Sequence, residues 1–239
     1  MVGGSYMASW VKNIRVADEL LKRGLKVDKE SFIIGSIAPD CNVENEDWTN
    51  FIPTREETHW MSKKRKKNTS DYLAFFDQHL DSKVDDFKKM SFLLGYFVHL
   101  LTDQKMAVYI RDEKRVDNIY KRLQLHDKMH DKIIGEVKDF NTLKRIFGKQ
   151  CLFEDANTLD RIYLDNNKDS SYLTILPFID YVPRYLNMFP EGAYERKIKV
   201  MVVDYSKAKG KLIFFDSKEN DELINNIIFE CSDYLSGWM

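Results

Sequence analysis

The sequence predicts a single all-α domain, and three observations point that way. Apolar residues recur at helical spacing over most of the 239 residues. Aspartate, serine or threonine stands where several of those runs begin, and glycine or proline where they stop. One stretch, Phe92 to Leu101, is apolar on nearly every side, as the central helix of a bundle must be. The run 198–203, IKVMVV, has strand-like β-branching, but it sits in a pattern that also reads as helix.

In chain order, Trp10, Ile14, Ala17 and Leu21 mark a first helix that stops at Gly24. Asp28 caps a short second helix carrying Phe32, Ile33 and Ile37 into Pro39-Asp40. Residues 41–68 are polar, contain Pro53 and read as a long loop of the kind that is functional or disordered. Thr69, Ser70 or Asp71 caps a helix with Tyr72, Leu73, Phe75, Phe76 and Leu80. The apolar helix then runs from about Ser82 to Tyr109, and another from about Asp112 to Val137. TLKRIFG at 142–148 adds helical turns with a glycine stop. ANTLDRIYL, SSYLTILPFIDYVPRYLNMF and KENDELINNIIFECSDYL complete the chain, with Pro177 and Pro183 splitting the second of these.

Composition narrows the class. Hydrophobic residues at 44% and charged residues at 31% are those of a globular, not a disordered, chain. A formal net charge of −1 gives no general attraction to nucleic acid, and no nucleic-acid partner is expected. No apolar run is long enough to span a bilayer, and the start lacks the basic-then-apolar pattern of a secretory signal. MVGGSY, residues 1–6, reads as a cloning remnant, leaving 7–239 as the domain. Cys41, Cys151 and Cys231 are far apart and odd in number, which fits a reducing cytoplasm better than a disulfide framework.

The chemistry concentrates in FLLGYFVHLLTD, residues 92–103. His99 and Asp103 are four apart and share a face of that oily helix. Buried polar groups must be paired or bound. The pair is therefore either a core ion pair or half of a metal site. Gly95, one turn earlier, marks close approach of another segment. His126 and His130 repeat the spacing in LHDKMHD, where a solvated helix face is the alternative reading. Asp40 ends the short helix and His59 stands across the long loop, so both are candidates to close a shell of imidazoles and carboxylates around a hydrolytic metal. His79 is expected at a helix end with no role, and Cys41 as a buried thiol.

The ordered set IIGSIAPD, ETHW and LLGYFVHLLTD resembles the bacterial zinc-dependent phospholipase C family, over roughly residues 7–135. That resemblance implies an all-helical fold and a polynuclear zinc site that hydrolyses phosphodiesters, typically of phospholipids. The fungal zinc nucleases share the architecture. The resemblance implies that Asp40, His59, His99 and Asp103 hold one zinc, and that His126 and His130 belong to a second site. Asp127, Asp131 and Asp117 are candidates for its third ligand. Two features depart from the family pattern. Asn13 stands at a family histidine position in the first helix, where an amide is a poor zinc ligand. Trp10 is internal, where secreted members ligate through an N-terminal tryptophan.

The expected function is a cytoplasmic phosphoester hydrolase using one or two zinc ions, or another divalent transition metal, to activate water. Asp40 is the candidate to orient that water or take its proton. The substrate would be a small phosphoester or a phospholipid headgroup. Lys63, Lys64, Arg65, Lys66 and Lys67 would give weak contact with an anionic membrane surface, helped by Trp60 and Met61, or else form a solvated stretch. A degenerate member that binds metal or headgroup without turnover is the alternative. A nucleotide phosphohydrolase of the histidine–aspartate type, suggested by His126-Asp127, is a third.

Overall fold

The computed structural model describes residues 8–47, 49–61, 70–80 and 84–239. Side-chain caps set most of the helix starts. Ser9, Asp28, Asp71, Asp86, Asp112, Asp139 and Asp216 each accept a first-turn backbone N–H of the helix that follows. Those helices are α1 (Trp10–Lys22), α2 (Lys29–Gly35), α4 (Tyr72–His79), α5 (Phe87–Tyr109), α6 (Glu113–Gln124), α8 (Phe140–Asn166) and α11 (Ser217–Tyr234). Between them lie the shorter α3 (Arg55–Thr58), α7 (Asp127–His130), α9 (Ser171–Thr174) and α10 (Ala193–Met201). The protein is mostly helical, with one antiparallel pair of two-residue strands, β1 (Val43–Glu44) and β2 (Phe51–Ile52).

Three expectations need correction. The stretch 41–68, as far as it is described, is not a plain loop: β1 and β2 make a hairpin, and Thr54 and Glu57 form a capping box that starts α3. The hairpin is also held from outside. Glu44 pairs with Arg196 of α10 at 2.8 Å, and Lys197 donates to the Asn42 carbonyl at 3.2 Å. The helix expected over 112–137 ends at Gln124, and Leu125, which should have continued its apolar face, is 81% exposed. The apolar helix begins at Phe87, not near Ser82. The branched run 198–203 takes the helical of its two readings, as the end of α10 and the coil after it.

The α5 helix is the axis of the molecule. Every residue from Ser91 to Asp103 is buried. Its first four turns lie in an apolar cluster built with α1, α2 and α11, including Ile14, Phe32, Phe97 and Ile227. Its last turn feeds a second cluster made by Met106, Ile110, α6, α8 and residues 213–215. The closest crossing is between α2 and α5. A Cβ on Gly35 would stand 2.1 Å from the Phe92 carbonyl oxygen, and one on Gly95 2.1 Å from that of Phe32. Each glycine is thus the condition for the other helix to lie where it does. That crossing brings the end of α2, Ser36 and the turn to Asp40 against the middle of α5.

Candidate metal centre

Two of the candidate donors come from α5 itself. His99 and Asp103, one turn apart, put His99 Nε2 3.4 Å from Asp103 Oδ2. Asp40 arrives from the 3₁₀ turn Ala38–Asp40 that follows α2. His59 is the C-cap of α3, which the Tyr96 hydroxyl of α5 fastens by donating to the Thr58 carbonyl. His59 Nε2 lies 3.3 Å from Asp40 Oδ1 and 3.4 Å from Asp103 Oδ2, and His99 Nε2 lies 4.0 Å from Asp40 Oδ2. Asp40, His59 and His99 offer donor atoms all within 4.8 Å of one another. Asp103 joins them through its approach to both rings.

These spacings suit zinc. Tetrahedral bonds of about 2.0–2.2 Å put neighbouring donors about 3.3–3.6 Å apart. Three of the four measured spacings fall in that window and the fourth is slightly longer. Two of the atoms involved, His99 Nε2 and Asp103 Oδ2, are buried without a hydrogen-bond partner. Buried polar atoms seldom stay so, which is what a cation placed among them would resolve.

The other nitrogen of each ring decides which lone pair faces the centre. His99 Nδ1 lies 2.8 Å from the Ser36 carbonyl oxygen, to which it donates. His59 Nδ1 lies 2.9 Å from Thr58 Oγ1, whose own hydrogen goes to the Arg55 carbonyl, so the ring donates there too. Both rings therefore present Nε2. Asn13, fully buried, places its amide 3.1 Å from His99 Nδ1, on the side away from the centre. Since Nδ1 is a donor whose one hydrogen the nearer Ser36 carbonyl takes, the turned-over amide, oxygen toward the ring, can only share that hydrogen. Asn13 thus backs a donor ring and is not itself placed as a donor.

The carboxylates are held as firmly. Asp103 Oδ1 accepts the Ala8 backbone N–H at 3.0 Å, and Asp40 Oδ2 accepts the Trp10 indole N–H at 3.1 Å. Burial works to raise both carboxyls. For Asp40, the nearby His59, His99 and Arg55 outweigh it and hold the group well below the usual carboxylate range. Asp103 is lowered chiefly by the nearby His99, with His59 beside it. Burial lowers His99, but Asp103, then Asp40 and the Ser36 carbonyl, raise it to a net upward shift.

Other expected positions fall elsewhere. His126 is an exposed N-cap of the single turn α7 and His130 its last residue, so they share no long helix face. Among the described residues they join no group of three donors, and the second site they were expected to form is not assembled. The His126-Asp127 dyad lies on that same turn, away from the cluster. Cys41 is a buried thiol directed to the Ile37 carbonyl, and His79 ends α4 against Trp60 and Phe75. Trp60 packs inward on those rings instead of standing free as a surface contact. Lys63, Lys64, Arg65, Lys66 and Lys67 lie outside the described residues.

Sequence reasoning missed Arg55, whose guanidinium reaches His59 and the two carboxylates. Its position four before His59, one helical turn, was the available signal. No helix among the described residues is long and apolar enough to cross a membrane, and the three cysteines are free. No curated protein and no solved structure matches the chain. Residues 6–104 match the family model described as zinc dependent phospholipase C, a stretch that ends before His126 and includes all four converging donors. Over that stretch, which is less than half of the chain, the protein is similar to the zinc-dependent phospholipase C family.

Proposed function

We propose that the protein is a metal-dependent phosphoester hydrolase of the phospholipase C kind, with one zinc ion held by Asp40, His59, His99 and Asp103. The observation that supports this most is the spacing of two Nε2 atoms and two carboxylates at tetrahedral-edge distances within the family-matched stretch. When bound, zinc supplies a Lewis acid that makes hydroxide available near neutral pH and offsets charge on phosphoryl oxygens. Other divalent transition metals suit the same donors less selectively.

The chain's own groups supply position. Ser36 and Thr58 fix both rings so that no reorientation is needed. His59, His99 and Asp103 are 0–3% exposed, while Asp40 is 20% exposed, so Asp40 is the donor most open to solvent. A carboxylate held so firmly ionised is a poor store for a proton. It accepts a hydrogen bond from the attacking water and aims it at phosphorus. The substrate is a small phosphoester or phospholipid headgroup. Contact of the 63–67 basic run with an anionic membrane surface remains part of the proposal, on sequence alone.

A second reading, metal binding without turnover, draws on the unassembled His126–His130 site, which leaves a single centre among the described residues where the family resemblance implies several ions. Elemental analysis paired with hydrolysis of a chromogenic phosphodiester separates the two. The hydrolase reading expects about one zinc per chain and turnover that a chelator abolishes. Zinc retained with no turnover across a panel of headgroup esters would sink the hydrolase and leave the binding protein.

A further inference from the structure

The Arg55 guanidinium stands among the atoms that face the metal position. Its Nη2 is 3.1 Å from His59 Nε2 and 3.9 Å from Asp103 Oδ2, and its Nη1 is 3.5 Å from Asp40 Oδ1. The Nε2 lone pair that accepts this N–H is the one a metal needs, because Thr58 engages the other nitrogen. One lone pair serves one partner at a time. A guanidinium in this position and a metal bound to His59 therefore exclude each other.

Charge leads to the same place. Two ionised carboxylates with two neutral imidazoles leave the cluster at −2, which burial makes costly. The guanidinium reduces that to −1, and a divalent ion alone to zero. We propose that Arg55 is an exchangeable cation: it holds the donor cluster together without metal, is displaced by the ion, and then lies at the solvent-facing mouth of the site to meet an anionic phosphoryl oxygen. Its side chain is 32% exposed, against 0% for His59, so it has a route to solvent that the ring lacks. Ion and arginine together would bring the centre to +1, complementary to a phosphodiester monoanion. That last step rests on the hydrolase reading; the exchange does not.

Zinc titration by calorimetry into metal-free wild type, Arg55→Met and Arg55→Lys tests the exchange, with thermal melting in chelator alongside. Arg55→Met keeps the stem and removes the competitor. It should bind zinc about tenfold more tightly, as expected for loss of a charge-assisted contact. It should melt below wild type in chelator but not in zinc. Equal or weaker zinc binding by folded Arg55→Met would overturn the exchange. Should that variant not fold, Arg55→Lys decides alone, since it lacks the fork that spans His59 and Asp40: tighter zinc supports exchange, equal or weaker overturns it. Inorganic phosphate titrated into the zinc-loaded proteins tests the second half. Wild type should bind it severalfold more tightly than Arg55→Met, and equal affinity would overturn the mouth role. A protein with no turnover on any phosphodiester would remove the proposed activity while leaving the zinc result intact.

Discussion

Asn13 hydrogen-bonds the far nitrogen of His99, so its influence on a metal must pass through the ring. Outer partners of this kind typically affect metal affinity by about 10–100-fold. Asn13→Ala should weaken zinc by that order in a titration, and Asn13→His should add no second zinc by elemental analysis. This reverses the expectation from the family resemblance, which placed the position among the ligands. The resemblance placed Asn13 in the first helix but could not say which side of His99 it meets. His99 also sets a pH dependence. Its raised proton affinity stabilises the metal-free fold fully below the ordinary value of about 6.5, and that contribution is lost as pH rises through the folded value. The lowered Asp40 and Asp103 contribute above about 3.9 and lose their contribution in acid. Zinc needs the neutral ring. The zinc-induced rise in melting temperature should therefore grow between pH 6 and 8. A flat response would mean that His99 does not ligate.

At the level of elements, the donor geometry depends on two helices touching through glycine. Gly95→Ala would push a methyl group into the Phe32 carbonyl, and α2 and α5 would have to separate. The cost should be at least about 2–3 kcal/mol by denaturant unfolding. Zinc binding should weaken as well, because Ser36 and Asp40 move with α2 while His99 stays with α5. Undiminished zinc affinity in a destabilised variant would show that the donors adjust independently of the crossing. This contact was legible in sequence as a glycine inside an otherwise continuous apolar helix. The cap at Asp28 was equally legible, and Asp71 was one of three candidates before the next apolar run. The break after Gln124 was not, because Leu125 keeps the apolar rhythm and yet faces solvent. The paired histidines beyond it looked like a ligand pair only while the helix was assumed to continue. Arg55 was hidden for a different reason: TREETHW has no periodicity, and its meaning lies in a one-turn helix with a capping box.

Over the whole molecule, α5 joins two apolar clusters, and the candidate donors lie where the first gives way to the second. The resemblance read from sequence ran to about residue 135, whereas the family match ends at 104, near the end of the donor segment. The later helices carry no motif, and their contribution to the centre could not be read without coordinates. Arg196 and Lys197 clamp the hairpin that runs between Asp40 and His59. The donors stand at positions 40, 59, 99 and 103, so an ion bound to all four would be a reversible cross-link between distant stretches of chain. An unfolded chain, which holds no such arrangement, would bind that ion far more weakly. Folding and metal supply then become one equilibrium. Each tenfold increase in free zinc above the dissociation constant should add about 1.4 kcal/mol to the unfolding free energy. Melting measured across buffered zinc concentrations should climb steadily, with no substrate present. A melting temperature indifferent to zinc would show that the three stretches are not tied by an ion.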